Sequence, residues 1–437
     1  MPGGLDDTPV FNSNSPEIVQ TEGILLSTFP PAGMKAPGAH LNFAFDGEFE
    51  VFSHHINNSF KNKHSRTLYL GLLVNNPTDR AVKVRLLEAA SYLSVPDAPF
   101  VKLPPLAPNQ KGKIYAGPGD RVMDDFLRGK SQSSTVHWPG SITIPAHQSR
   151  LLYCLPVPDN EPTPHINGRS TQIRLKSNGK VYLANLALFA PRDEGGRERP
   201  PTLGEWQEIL VQGDLCGPRE NAATAPDVKG KLVYGRVSGV NRGAVWTARI
   251  PEGKNREDRF LPVAPDTSIS FPISSVQAGT LGTGQVQSAP MMVRYPDTAY
   301  AAHGNYGVHY VIHLSLVNAS LKDEQLSLYL QTPLKTDQAR PYLEFYEKPV
   351  TKVFYRGTVR VAYRKGIFSG KSKDIHLVED RGDRSQPLAQ FDLPRGRREH
   401  LRVELFYPPD STPPQVLTLK SESEPGAAKP EGVEHDQ

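Results

Sequence analysis

Residues 295–307 read Tyr295-Pro296-Asp297-Thr298-Ala299-Tyr300-Ala301-Ala302-His303-Gly304-Asn305-Tyr306-Gly307, which gathers an acid, an imidazole, an amide and three phenols into one short segment. Rings for stacking beside groups for hydrogen bonding are the mixture that grips a sugar or a peptide. The same residues also suit a long interstrand loop stapled down by its tyrosines, and this second reading carries the greater weight. A glycosidase would need a second carboxylate facing Asp297, at ~5 to 5.5 Å or ~6.5 to 9.5 Å depending on the stereochemical outcome. Asp297 alone leaves that reading open.

The pair His54-His55 is the other local cluster with chemical character. Neighbouring residues of a strand point to opposite faces, so the two imidazoles cannot easily share one metal ion, and one is expected inside and one outside. His309 and His313 have the spacing of a zinc helix, but Tyr310 follows the first histidine and the run is strand-like. At ~3.3 Å per residue the two rings stand roughly 13 Å apart, too far to share a metal. Gly366 to Ser372 imitates a phosphate loop but has Lys365 where its first glycine should be, and Gly279 to Gln285 misses the dinucleotide-binding spacing. Both read as turns, and the tripeptide Arg381-Gly382-Asp383 carries no weight. Asn167-Gly168-Arg169-Ser170 lacks the frame of a nucleophile elbow.

The candidate ligand-binding set is therefore His54, His55, Asn167, Arg169, Asp297, Tyr300, His303, Asn305 and Tyr306. No catalytic residue, metal or cofactor is assigned, and the chain leans away from being an enzyme.

The elements that must hold these residues are strands. Proline (41) and glycine (36) recur at short intervals along 437 residues, punctuating the chain into many short strands. The strands also repeat. Leu68 to Val74 runs into Asn75-Asn76-Pro77-Thr78 and then Val82 to Leu87, and Tyr310 to Val317 runs into Asn318-Ala319-Ser320 and then Gln325 to Leu330. Leu151 to Asp159 is echoed by Leu401 to Asp410 in the same order. The expected fold is all-β: two related β-sandwich-like domains with a few short helices and an internal duplication. The expected layout is an extension over 1–22, in which Val10-Phe11 and Ile18-Val19 could dock on a sheet. A first β-domain over 23–190, a linker with a short helix over 191–230, a second β-domain over 231–420 and a disordered acidic tail over 421–437 follow.

Two helices have local signals. Asp120 can cap one carrying Val122, Met123, Phe126 and Leu127, with Gly129 as its stop, and Thr202-Leu203-Gly204-Glu205 reads as a capping box ahead of Trp206 and Leu210. The second helix is expected to wedge between the domains. Cys154 and Cys216 are too few for a disulfide scaffold or a zinc cluster, and a buried Cys154 with a free Cys216 is favoured over a bridge.

No apolar run approaches the ~20 residues that span a bilayer, so no transmembrane segment is expected. Nor does a signal peptide show in Met1-Pro2-Gly3-Gly4-Leu5-Asp6-Asp7, although a removed one would leave no trace. The formal charge of +4 becomes +8 over residues 1–420 once the tail is set aside, because 421–437 holds five carboxylates against Lys429. That excess is spread over both halves with no basic run interleaved with aromatics, which argues against a nucleic-acid partner.

Several blocks in order carry a resemblance. Phe52-Ser53-His54-His55, Ala116-Gly117-Pro118-Gly119-Asp120-Arg121, Asn167-Gly168-Arg169-Ser170-Thr171, Tyr234-Gly235-Arg236-Val237, Gly284-Gln285-Val286-Gln287-Ser288-Ala289-Pro290 and Ala302-His303-Gly304-Asn305-Tyr306-Gly307 resemble the signatures of a cyanobacterial family. It is the domain-of-unknown-function family numbered 3370, and the resemblance runs from about Leu5 to Leu419. It implies an exported protein of the periplasm or outer envelope and brings no catalytic residues with it. The functional expectation is a non-catalytic binding or scaffolding protein of the envelope whose partner is an envelope polysaccharide or protein. The alternatives are a carbohydrate-active enzyme or polysaccharide-binding protein using the 295–307 loop and, least favoured, a metal module of His54 or His55 with His303.

Overall fold

Alternation decides which face of each strand is buried. In the computed structural model, which describes residues 1–62, 65–130, 136–158, 165–228, 230–252, 259–363 and 371–422, Leu68, Leu70, Leu72 and Val74 of the strand Leu68–Asn75 all point into one core. Their neighbours Tyr69, Gly71 and Leu73 take the opposite face, as a period of two requires. This strand lies between Ser149–Val157 and the last part of the strand Ile166–Phe189. The earlier part of Ile166–Phe189 pairs instead with Phe45–Asn58 and Val82–Leu93. Its register breaks between Ser177 and Val181, so one strand turns the corner between two packed layers. The twelve-stranded sheet that results closes over Phe11, Phe45, Phe49, Val84, Ile173, Leu175 and Leu183.

The second half is a sandwich of an eight-stranded and a four-stranded sheet. The strand His309–Asn318 lies between Arg398–Phe406 and the parallel strand Val245–Ile250, and buries Tyr310, Ile312, Leu314 and Leu316. Facing it, Leu326, Leu328 and Leu330 of Glu324–Gln331 and Leu417 and Leu419 of Gln415–Glu422 close the core. The fold is mostly β and sandwich-like, as its alternating sequence requires.

The repeat is seated in one turn that occurs twice. Asn76 donates its amide to the carbonyls of Arg80 (2.7 Å) and Ile144 (3.0 Å), and its Oδ1 accepts from the Thr78 backbone N–H (2.9 Å). Asn318 donates to Lys322 (2.8 Å) and Leu393 (2.7 Å), and its Oδ1 accepts from the Ser320 N–H (2.8 Å). The match therefore centres on Asn76 and not on Asn75, whose side chain bonds Gln148 and Ser149 beside the turn. The turn at Asp159 in the first copy falls outside the described residues.

The halves are interlocked. Val10 and Phe11 lie in Pro9–Ser13, which pairs in parallel with Phe45–Asn58 on one side and antiparallel with Ser238–Arg242 on the other. Ile18–Val19 also docks on Phe45–Asn58. Gly4–Leu5 and Leu106–Pro108 each add a strand to the eight-stranded sheet of the second half. Ser421, placed by composition at the start of a tail, is buried in the strand Gln415–Glu422, and 423–437 lie outside the described residues.

Both signalled helices form, with two corrections. The helix Pro118–Leu127 has Gly117 as its N-cap at φ +92, and Asp120 works from inside the first turn, accepting from the Ala116 N–H at 2.9 Å. Its residues Val122, Met123, Phe126 and Leu127 cluster with Ala90 and Tyr92 of the first half and Phe406 of the second, so this is the helix between the halves. A buried ionic network fixes it there: Arg128 pairs with Asp124 and Asp374 (both 2.8 Å), and Arg360 grips Asp374 with two hydrogen bonds. The helix Leu203–Gln212 has its full capping box, but Trp206 packs on Leu73, Ala184 and Leu186 and covers the outside of the first half instead of wedging between domains. A Cβ on Gly71 would sit 2.7 Å from the Trp206 ring, which is why that strand carries glycine there.

Candidate functional site

The sequence-marked residues are for the most part built into the fold. His55 is fully buried, with Nδ1 on the Pro16 carbonyl (2.8 Å) and Nε2 on the Ser13 hydroxyl (2.9 Å); burial drives its pKa down to about 3, so the ring is neutral. Asn167 donates to the carbonyls of Val95 and Pro158 (both 2.8 Å) and accepts from Ser94 (2.8 Å). Arg169, buried beside it, donates to the Pro156 carbonyl and the Ser91 hydroxyl (both 3.0 Å), and burial lowers its pKa to about 10. Asn305 has φ +50 and joins the Ala289 N–H, the Gln287 carbonyl and the Tyr310 hydroxyl. These four hold strands and turns together.

Alternation requires one histidine of the pair to face outward, and it is His54, though only partly so. Its Nδ1 meets the Ser170 hydroxyl at 2.8 Å, and its Nε2 lies 3.7 Å from Glu17. Burial lowers its pKa. Asp297 is spent on Arg219, with Nε to Oδ2 at 2.7 Å and Nη2 to Oδ1 at 2.9 Å. The guanidinium holds that carboxyl below its ordinary range, so Asp297 carries no proton to donate and both its oxygens are engaged. Tyr300 is 39% exposed and lies under the Arg294 guanidinium at 3.5 Å.

Two of the nine, His303 and Tyr306, line a polar cleft of about 430 Å³ with Asn14, Glu220 and Arg236. His303 keeps Nε2 on the Gly235 carbonyl (2.9 Å) and its ring against Tyr234, and burial lowers its pKa. Tyr306 donates its hydroxyl to the Ser411 carbonyl (2.9 Å), and its ring stacks with Tyr407 at 6.2 Å. Arg236 pairs with Glu17 and Glu220, which closes the charge of the cleft on itself. His54, His55 and His303 are thus held by separate partners, and Asn167 is not part of this cleft. Among the described residues no group of three or more His, Cys, Asp or Glu side chains could hold a metal ion.

The motif-like glycines behave as turns. Gly279, Gly282 and Gly284 all have positive φ, and Asp337 accepts from the N–H groups of Gly279 and Thr280 (both 2.9 Å). Residues 366–370 lie outside the described residues. Both cysteines are free, but their exposure reverses the expectation: Cys216 is fully buried, its N–H on the Ile24 carbonyl, while Cys154 is half-buried with its thiol pKa pushed up to about 11.

A larger open site lies elsewhere. A groove of about 670 Å³ runs along the outer face of the four-stranded sheet, within the ~300–1,000 Å³ range of ligand sites. Its floor follows from alternation: Leu326, Leu328 and Leu330 point inward, so Tyr329 and Gln331 point out. Ser268 and Ser270 of Ser268–Ile273 and Thr418 and Lys420 complete the floor, with Ser270 and Thr418 sharing a hydroxyl hydrogen bond of 2.9 Å. The wall is the segment 334–345, where Tyr342 is 61% exposed and Phe345 lies under the Arg384 guanidinium. Arg340 pairs with Glu344 and reaches Gln338 at 2.9 Å.

No local cluster in the sequence marks this groove, because its chemistry is dispersed over four chain segments. One signal was readable: at outward positions the second copy of the repeat carries Ser268, Ser270, Thr418 and Tyr329 where the first carries Glu48, Glu50, Arg174 and Glu88.

Comparison with solved structures returns oxalate decarboxylases. The formate complex from Lactobacillus farciminis is 8% identical over 87% of this chain and 82% of that one, with a TM-score of 0.12. A Bacillus subtilis deletion mutant is 8% identical over 86% and 74%, with a TM-score of 0.11. Overlap that small bears on neither fold nor activity. None of the curated proteins matches the chain. A family model described as a protein of unknown function (DUF3370) matches residues 1–421, from the first strand to the last. The chain, with its doubled Asn turn and its open second-half groove, belongs to the DUF3370 family.

Proposed function

We propose that this protein is a non-catalytic binding protein of the cell envelope, and that its ligand is a polysaccharide laid along the groove of the four-stranded sheet. The observation that carries this reading is the lining of that groove. The exposed ring of Tyr342 and the half-buried ring of Tyr329 line the groove together with hydroxyls and amides. Sugar rings offer apolar faces for stacking and hydroxyl edges for hydrogen bonds, and the groove presents both complements. Support for a non-catalytic role comes from the groove's titratable groups. Its one carboxylate, Glu344, is paired with Arg340, so the lining lacks the two facing acids that glycoside hydrolysis needs. The envelope location rests on the family resemblance and is a proposal of the same standing.

The decisive experiment is a panel of soluble polysaccharides in affinity electrophoresis with the full chain and Tyr342→Ala. Retardation by at least one polymer, weakened about tenfold in the variant, with no shortening of the polymer on long incubation, is the expected result. Equal retardation of both proteins would remove the groove from the proposal. Cell fractionation with an antibody checks the location, where a purely cytoplasmic signal would end the envelope reading.

The 295–307 region keeps a second claim only through the cleft at His303 and Tyr306, where an aromatic ring and polar groups also converge. Tyr306→Ala in the same assay separates the two sites.

A further inference from the structure

We infer that the polysaccharide the groove takes is anionic, bearing carboxylate or sulfate groups; this deepens the binding reading above and rests on it. The basis is charge. Arg340, Arg384 and Lys420 line the groove, Lys420 with a partner of its own, and Glu344 is the one carboxylate among the lining residues. Glu344 is paired with Arg340. Arg384 forms no ion pair among the described residues, and the acids near it in the chain, Asp380 and Asp383, do not line the groove.

The way the guanidiniums are held matters as much as their number. Arg384 lies over Phe345 at 5.6 Å and Arg340 over Tyr342 at 6.0 Å, and just beyond the groove Arg381 lies over Tyr346 at 5.7 Å. Resting a guanidinium on a ring fixes its position while its in-plane N–H edge stays free for an oxyanion. That edge matches a carboxylate or sulfate with two parallel hydrogen bonds, which a neutral hydroxyl cannot reproduce. At the matching positions of the first half the charges are paired: Glu48 with Lys176, and Glu50 and Glu88 with Arg174. A single-stranded nucleic acid also combines rings with charge, but its grooves track every phosphate with a cation. Here hydroxyls and amides outnumber the cations, which favours a sugar chain whose charges are spaced by neutral edges.

The test uses the full chain and matched probes: polygalacturonate and its fully methyl-esterified form, dextran sulfate and dextran, and an oligothymidylate. Expected is binding of at least one acidic polymer about tenfold or more tighter than its neutral partner at low salt, an advantage that shrinks as salt rises. Arg384→Gln should abolish most of that advantage and keep the melting temperature, and Arg384→Lys should restore part of it. If neutral and acidic forms bind alike and Arg384→Gln changes nothing, the anionic inference falls while the polysaccharide reading stands. If neither acidic nor neutral polymers bind, both fall. Oligothymidylate binding tighter than every glycan also overturns both, in favour of a nucleic-acid groove.

Discussion

Three aligned positions on the outer faces of the two halves show how one architecture can be put to two uses. In the first half the ladder reads Glu50, Arg174, Glu88; in the second, at the equivalent register, it reads Ser270, Thr418, Tyr329. Arg174 is gripped by Glu50 at 2.7 Å and Glu88 at 3.0 Å and lies against Phe126, so that face is covered by the helix Pro118–Leu127. Ser270 and Thr418 bond only through hydroxyls, and their face is the open floor of the groove. The outer surface of the strand pair at Leu68–Asn75 is covered as well, by Trp206, whereas His313 and Ser315 at the matching face of His309–Asn318 stay half-exposed. The lesson is that the shared positions, the inward leucines and the doubled Asn turn, hold the sandwich. The unshared outward positions pair and cover the first half and leave the groove of the second half open.

The largest expected effect tests how the two halves treat buried acid. Glu88 and Glu50 share a guanidinium, and burial raises the Glu88 pKa to about 7 against that attraction. Glu379 in the second half has no such cation to offset its burial, which, with Asp383 and Asp380 adding repulsion, pushes it up to about 9. Its folded form keeps the proton that the unfolded chain releases above the ordinary carboxylate range. The unfolded state then binds fewer protons, so stability falls as pH rises through the window from that range up to about 9. Glu379→Gln should lose this part of the slope over the same window. Urea titrations at pH 5 and pH 8 should show the wild type losing several kcal/mol relative to the variant. A difference that does not move with pH would mean that Glu379 is ionised in the fold and that the contrast with Glu88 is empty.

Next in size is the feature the halves share. Asn318→Ala strands two carbonyls and one N–H at a strand connection, Asn76→Ala three carbonyls and one N–H, and each should cost about 3 kcal/mol. Equal losses measured by chemical denaturation would show that the duplicated turn bears the same load twice. A tolerant Asn318 would reduce the repeat to a likeness of shape.

A smaller contrast separates the covered face from the bare one. Gly71→Ala forces a methyl against Trp206 and should destabilise by about 2 kcal/mol. His313→Ala, at the matching position of the second half, should stay within about 0.5 kcal/mol. Comparable losses at both sites would say that the outer face of the second half is covered by something other than solvent.

Much of this was legible because alternation is a local signal. The inward stripes Leu68 to Val74 and Tyr310 to Leu316, the capping box at Thr202 and the opposite facing of His54 and His55 follow from spacing alone. What spacing cannot show is which surface a partner covers. His55, Asn167, Arg169 and Asn305 looked like ligand-binding groups because polar side chains suit sites and strand corners equally, and only the carbonyls that come to meet them decide. The same limit hid the groove, whose floor joins Ser268, Tyr329 and Thr418 from strands far apart in sequence. It also hid the wedge role of the helix at Asp120, since the faces that enclose it come from both halves.

The smallest expected effect on stability is the most telling for function. Tyr342 and Arg384 touch the groove and not the core, so Tyr342→Ala and Arg384→Gln should each shift the unfolding free energy by less than about 0.5 kcal/mol. Glu48→Gln, which breaks an exposed pair with Lys176 on the first half, should be equally mild. The two halves then part company: the groove variants lose polymer binding at unchanged stability, and the Glu48 variant loses neither. Were the groove variants to unfold the second half, the exposed rings would be structural staples for the 334–345 segment, and the open face would serve the fold just as the closed one does.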